Sequence, residues 1–172
     1  MARYAEGRNQ RRRWITIAAL ALVLGGSQAL AAWRDSHGLL INTSLSLPNW
    51  AFWIERGAMP VRGDYVVFRP PLTRLVTSHF GAAPAPFAKI VYGIAGDTVT
   101  RNGTTVAING KPVGTLKPRT RRGEILGLGP TGIIPRGCYY VGTPHRDGFD
   151  SRYADIGFVC SRQIVGTGVP IL

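Results

Sequence analysis

The chain has 172 residues, 45% hydrophobic and 17% charged, which excludes general disorder and leaves room for one domain of ordinary size plus an appendage. Its 22 Gly and 12 Pro suit a turn-rich β fold rather than a helical bundle. The formal charge of +12 is spread between an N-terminal group (Arg3, Arg8, Arg11, Arg12, Arg13) and a second run at Arg119, Arg121 and Arg122, so direct nucleic-acid binding is not expected.

Residues 1–13 form a basic N-terminus. Residues 14–33, WITIAALALVLGGSQALAAW, carry no charge, and about 20 residues is the length a helix needs to cross a bilayer. Arginines ahead of such a span predict a single pass with the N-terminus in the cytoplasm and residues 34–172 exported, which in a bacterium means the inner membrane and the periplasm. A cleaved signal peptide is the competing reading, because Ala29-Leu30-Ala31 has the small-x-small form of a cleavage site and Gly25, Gly26, Ser27 and Gln28 interrupt the apolar run.

The next stretch is INTSLSLPNW, Ile41 to Trp50. Strand-like alternation would send the hydroxyls of Ser44 and Ser46 to one face and Leu45 and Leu47 to the other, and either serine has the chemistry of a nucleophile. Tyr65-Val66-Val67-Phe68 reads as a strand closed by Pro70-Pro71, and the apolar spacing from Leu72 to Phe80 predicts a short helix before an Ala/Pro linker at 82–86.

Lys89 stands out among the three lysines, because its neighbours are Phe87, Ala88, Ile90, Val91 and Tyr92. On a strand it would project into apolar surroundings, where desolvation lowers an ammonium's pKa and readies the amine to take a proton from a serine. The plainer alternative is a lysine that snorkels from a sheet edge into water.

Two Asn-Gly pairs, Asn102-Gly103 and Asn109-Gly110, flank the β-prone Thr104–Ile108 and predict a three-strand meander through two type I′ turns. Lys117 to Gly137 reads as a long exposed loop, with strands resuming at Cys138–Val141 and near Gly157–Cys160. In the periplasm Cys138 and Cys160 can pair; strands flanking the Asp150-Ser151-Arg152 loop would bring them opposite each other. No Cys/His cluster suggests a metal, His37, His79 and His145 are scattered, and no cofactor is implied.

Four segments together resemble the type I signal peptidases, the membrane-anchored Ser/Lys proteases, and in particular their short conjugative-transfer (TraF-like) branch. Asn42-Thr43-Ser44-Leu45-Ser46-Leu47-Pro48 is similar to the N-T-x-x-S-x-P nucleophile box, and Arg62–Phe68 to R-G-D-x-V-x-F. Lys89–Asp97 is similar to the K-x-V-x-G-x-x-G-D box of the general base, and Asp147–Tyr153 to the end of D-S-x-D-S-R-Y. Pro48 follows Ser46 by two positions, as in that branch, whereas Trp50–Trp53 replace the usual Gly and Tyr and Thr143–Arg146 replace G-D-N-R.

The resemblance implies a mainly β, signal-peptidase-like (LexA-like) catalytic domain. It makes Ser46 the nucleophile, Lys89 the general base, and Ser44 an oxyanion donor, with Ser44 as nucleophile under a shifted register. It gives Asp150, Ser151 and Arg152 supporting roles on the lysine side through hydrogen bonds and an ion pair. The implied activity is a serine endopeptidase acting on exported precursors, with a pilin-like precursor as partner, the inner membrane as its location, and cyclisation as one fate of the acyl-enzyme; the sequence leaves the oligomeric state open. The alternatives are a non-catalytic membrane-anchored β module of a transfer or secretion apparatus, and a self-cleaving repressor-type protease, against which the uncharged span argues.

Overall fold

A charge-free run preceded by arginines becomes a helix, and the alternating, turn-punctuated remainder becomes antiparallel sheet. The computed structural model describes residues 2–44 and 46–171 and divides into two units, Met1–His37 and Gly38–Leu172. The first unit is helix α1 (Ala2–Ser36). Its portion Arg13–Ser36, of mean hydropathy 1.9, is long and apolar enough to cross a membrane.

The second unit is built on strands β1 (His37–Ile41), β2 (Ala51–Arg56), β3 (Tyr65–Phe68), β4 (Phe87–Gly93), β5 (Thr98–Asn102), β6 (Thr105–Ile108), β7 (Lys111–Thr115), β8 (Gly132–Ile133), β9 (Cys138–Gly142), β10 (Val159–Cys160) and β11 (Ile164–Pro170), with helix α2 (Arg74–Phe80) between β3 and β4. Among the described residues one sheet runs β1-β2-β11-β3-β4-β9-β10 and a second runs β7-β6-β5-β8. Helix α2 starts two residues later than the apolar spacing suggests, because Thr73 caps it by accepting from the Val76 N–H at 3.3 Å.

Strand β4 occupies the interior of the larger sheet, pairing with β3 (Val66 opposite Lys89) and with β9 (Val91 opposite Val141). Phe87, Lys89 and Val91 share one face by the period of two. That face packs on a core containing Val66, Phe68, Val76, Val91 and Val141. The other face, with Ala88 and Ile90, meets Leu47, Phe52, Ile54 and Val67. The single lysine on this strand therefore projects from the same face as Phe87 and Val91, on an interior strand whose other face is also packed.

The three-strand meander forms, with one turn of a different type. Asn109 and Gly110 both have positive φ, 49° and 79°, as a type I′ turn requires. In the first hairpin Asn102 pairs with Thr105, leaving Gly103-Thr104 as the two-residue loop. Only Gly103 there has positive φ, which is the sign pattern of type II′ rather than the expected I′. The reason is that Asn102 completes the ladder, a gain that outweighs placing it in the turn.

Residues 117–137 are largely the exposed loop that their composition predicts, pinned by two buried side chains. Leu126 and Ile134 are buried with Val99, Ile108, Tyr140 and Tyr153. The Gly129 N–H donates to Arg152 O at 2.8 Å, and Ala154 N–H to Gly127 O at 2.9 Å. A Cβ at Gly129 would collide with the backbone of Ser151 and Arg152, so this glycine permits a close backbone contact that fixes the 150–154 segment. On the same side Cys160 stands opposite Cys138, and the two form a disulfide.

Candidate active site

Strand β1 ends at Ile41 and β2 begins at Ala51, so Ser44 and Ser46 lie in an irregular turn rather than on the strand that alternation suggests. Asn42 builds that turn. Its backbone N–H donates to Trp50 O at 2.7 Å, and its Nδ2 donates to Asn49 O at 2.8 Å and Leu47 O at 3.3 Å. Its Oδ1 accepts from both the N–H and the Oγ–H of Ser44, at 3.0 and 2.8 Å. Leu47, buried in the core with Phe52 and Ala88, anchors the far side. Leu45 lies outside the described residues. Asn42 entered the sequence reading only as a motif letter; the signal that identifies it is an Asn two residues ahead of a serine, the spacing of an Asx turn.

The turn and β4 meet at one point. Lys89 Nζ lies 3.1 Å from Ser46 Oγ, and Ser46 Oγ lies 2.8 Å from Ser44 Oγ. Sequence reasoning marked these three residues, and although Lys89 is 43 positions from Ser46 the structure brings them into one hydrogen-bonded string. The aliphatic stem of Lys89 is packed in the core and the residue is 6% exposed. Burial lowers its pKa from the ordinary 10.5 to about 8; the Asp150 carboxylate opposes that fall and the Arg152 guanidinium adds to it. A lysine so placed spends an appreciable share of its time as a neutral amine near physiological pH, within reach of a hydroxyl proton.

Asp150, Ser151 and Arg152 are all buried. Arg152 grips Asp150 through Nε to Oδ1 and Nη2 to Oδ2, both 2.8 Å, and also donates to the carbonyls of Thr115 and Gly148. Two further hydrogen bonds of this segment reach the β9 end of the sheet: Val141 N–H donates to Ser151 Oγ at 3.0 Å and Thr143 N–H to Asp150 Oδ2 at 3.2 Å. The Asp150–Arg152 pair bears on Lys89 through charge, the carboxylate raising and the guanidinium lowering its pKa.

Ser44 and Ser46 sit between two cavities of about 300 Å³ each. One is walled by the end of β1 (Leu40, Ile41) and the start of β4 (Phe87, Ala88), with Lys89 opening into it. The other is walled by α2 (Leu75, His79, Phe80), Leu126 and Phe149, with Lys117, Arg121 and Asp147 at its rim.

The family model described as "Signal peptidase, peptidase S26" matches residues 11–172. Among solved structures, a signal peptidase I from Enterococcus faecalis V583 is 26% identical, with a TM-score of 0.40 over 63% of this chain and 96% of that one. The comparison with curated proteins gives no match.

Proposed function

Because the chain belongs to the signal peptidase S26 family and is on that ground a serine peptidase, we propose that it cleaves exported precursors with Ser46 as nucleophile and Lys89 as general base. The observation that carries this reading is the 3.1 Å approach of a buried, pKa-lowered lysine to a serine hydroxyl. Neutral Lys89 takes the Ser46 proton as Oγ attacks the scissile carbonyl carbon. The oxyanion that forms accepts from the Ser46 N–H and from the Ser44 hydroxyl, and the Lys89 ammonium then gives its proton to the departing amine. Attack of a second nucleophile, deprotonated by Lys89, on the acyl-enzyme restores the serine.

The cleft between the ends of β1 and β4 suits an extended peptide, since it lies between two strand segments and opens on Lys89. Helix α1 serves as the anchor, and the arginines before it orient the catalytic unit to the periplasm. The N-T-x-x-S-x-P spacing favours the conjugative-transfer branch, with a pilin precursor as substrate. Water as the second nucleophile gives a linear product; the precursor's own amine gives a ring.

The test is co-expression of the wild type, or of a Ser46→Ala variant, with precursors encoded nearby, followed by intact-mass measurement. Processing is expected with the wild type alone, a cyclic product being lighter than the linear one by one water. Processing by Ser46→Ala refutes the assignment, and continued turnover there with Ser44→Ala inactive moves the nucleophile to Ser44.

A further inference from the structure

The cavity walled by α2 adjoins the strand-walled cleft: the two share Phe80, Asp147 and Phe149 as well as the two serines, and Leu75, Leu126 and Tyr153 line the α2 side alone. Its interior is apolar and aromatic. Phe80 stacks on Phe149 with centroids 6.2 Å apart, and Phe149 on Tyr153 at 5.9 Å, with Leu75 and Leu126 completing the wall. The charged groups at its mouth are already matched to one another: Lys117 and Arg121 both pair with Asp147, and His79 with Glu124 at 2.9 Å. The charged side chains at the mouth are thus already engaged with one another, and an apolar interior gains from an apolar ligand.

We infer that this cavity is a second substrate subsite, which takes an apolar side chain from the opposite side of the scissile bond to the segment held in the strand-walled cleft. The inference rests on Ser46 being the nucleophile, because a peptide held in the cleft and crossing Ser46 continues toward the space that Leu75 and Leu126 border. The two subsites then read the substrate differently. The cleft holds backbone between two strand segments, whereas the α2 cavity selects by side-chain size.

The test uses the full-length chain in detergent micelles with a pooled peptide library, the cleavage products being sequenced by mass spectrometry and Ser46→Ala setting the background. The wild type is expected to enrich Leu, Phe or Met at one position on one side of the cut. Leu75→Trp fills the cavity from α2 and is expected to move that position alone toward small residues, with kcat/KM for a Leu- or Phe-bearing peptide falling by about tenfold or more. Leu75→Ala is expected to move it toward larger residues, and carries the test if the tryptophan variant does not fold. Preferences unchanged in the variants, or altered equally on both sides of the cut, overturn the subsite and leave the Ser46 reading intact. Absence of Ser46-dependent cleavage overturns both.

Discussion

Replacing Lys89 with Met is expected to yield a protein that is inactive and more stable than the wild type. The fall from 10.5 to about 8 means that holding this buried amine protonated costs the folded state about 3 kcal/mol. Below pH 8 the amine is protonated both folded and unfolded, so the whole cost is borne; between about 8 and 10.5 the unfolded chain keeps a proton that the folded chain has released, and stability rises with pH. Methionine fills nearly the same space without charge and forfeits only the hydrogen bond to Ser46, worth about 1 kcal/mol. The variant should therefore gain about 2 kcal/mol at pH 6.5, with the gain shrinking by pH 9.5. Denaturant unfolding followed by tryptophan fluorescence at the two pH values measures this. The same titration predicts that wild-type kcat/KM climbs about tenfold per pH unit below 8 and levels off above it. A Met variant less stable than the wild type at pH 6.5, or wild-type cleavage independent of pH from 6.5 to 9, would refute the buried-base argument.

Three further outcomes are expected. Ser44→Ala should lower kcat by about 10²–10³ with little change in KM, the signature of a donor used at the transition state, as steady-state kinetics on a peptide will show. Asp150→Asn removes the carboxylate that raises the Lys89 pKa, so the bend in the pH profile should move below 8; it also leaves the Arg152 guanidinium buried and unpaired, at a cost of about 3–5 kcal/mol in denaturant unfolding. Cys138→Ser combined with Cys160→Ser opens a link spanning 22 residues and should cost roughly 3 kcal/mol, with non-reducing peptide mapping of the wild type showing the bond.

Local rules carried the sequence reading a long way. Asn109-Gly110 announced its turn because both residues tolerate positive φ, and Lys89 stands out by its apolar neighbours, though only the place of β4 inside the sheet removes the edge-strand alternative. What escaped was decided by distant partners. Leu126 and Ile134 look like loop residues until Tyr153 and Val99 are placed beside them, and Asn42 looks like any polar residue until the carbonyls of Leu47 and Asn49 converge on its amide. The Ser44–Ser46 stretch mimics a strand because turns closed by Asx bonds carry no hydrophobic period of their own.

A hydroxyl has a single proton to give, and that arithmetic assigns a direction to the string of polar atoms at the nucleophile. The Asn42 amide is oriented by its two Nδ2 donations, so its Oδ1 faces Ser44 and can only receive. Ser44 spends its proton there, which obliges Ser46 to point its own toward Ser44 and leaves Lys89 as the donor to Ser46. That order is the one a protonated lysine dictates. On the proposed mechanism, loss of one proton from Lys89 lets that order reverse: Ser46 can donate to the lone pair of the amine, and Ser44, no longer receiving from Ser46, can turn toward an incoming carbonyl. The step from rest to readiness is then a set of hydroxyl rotations about fixed heavy atoms, triggered by the ionisation that supplies the base.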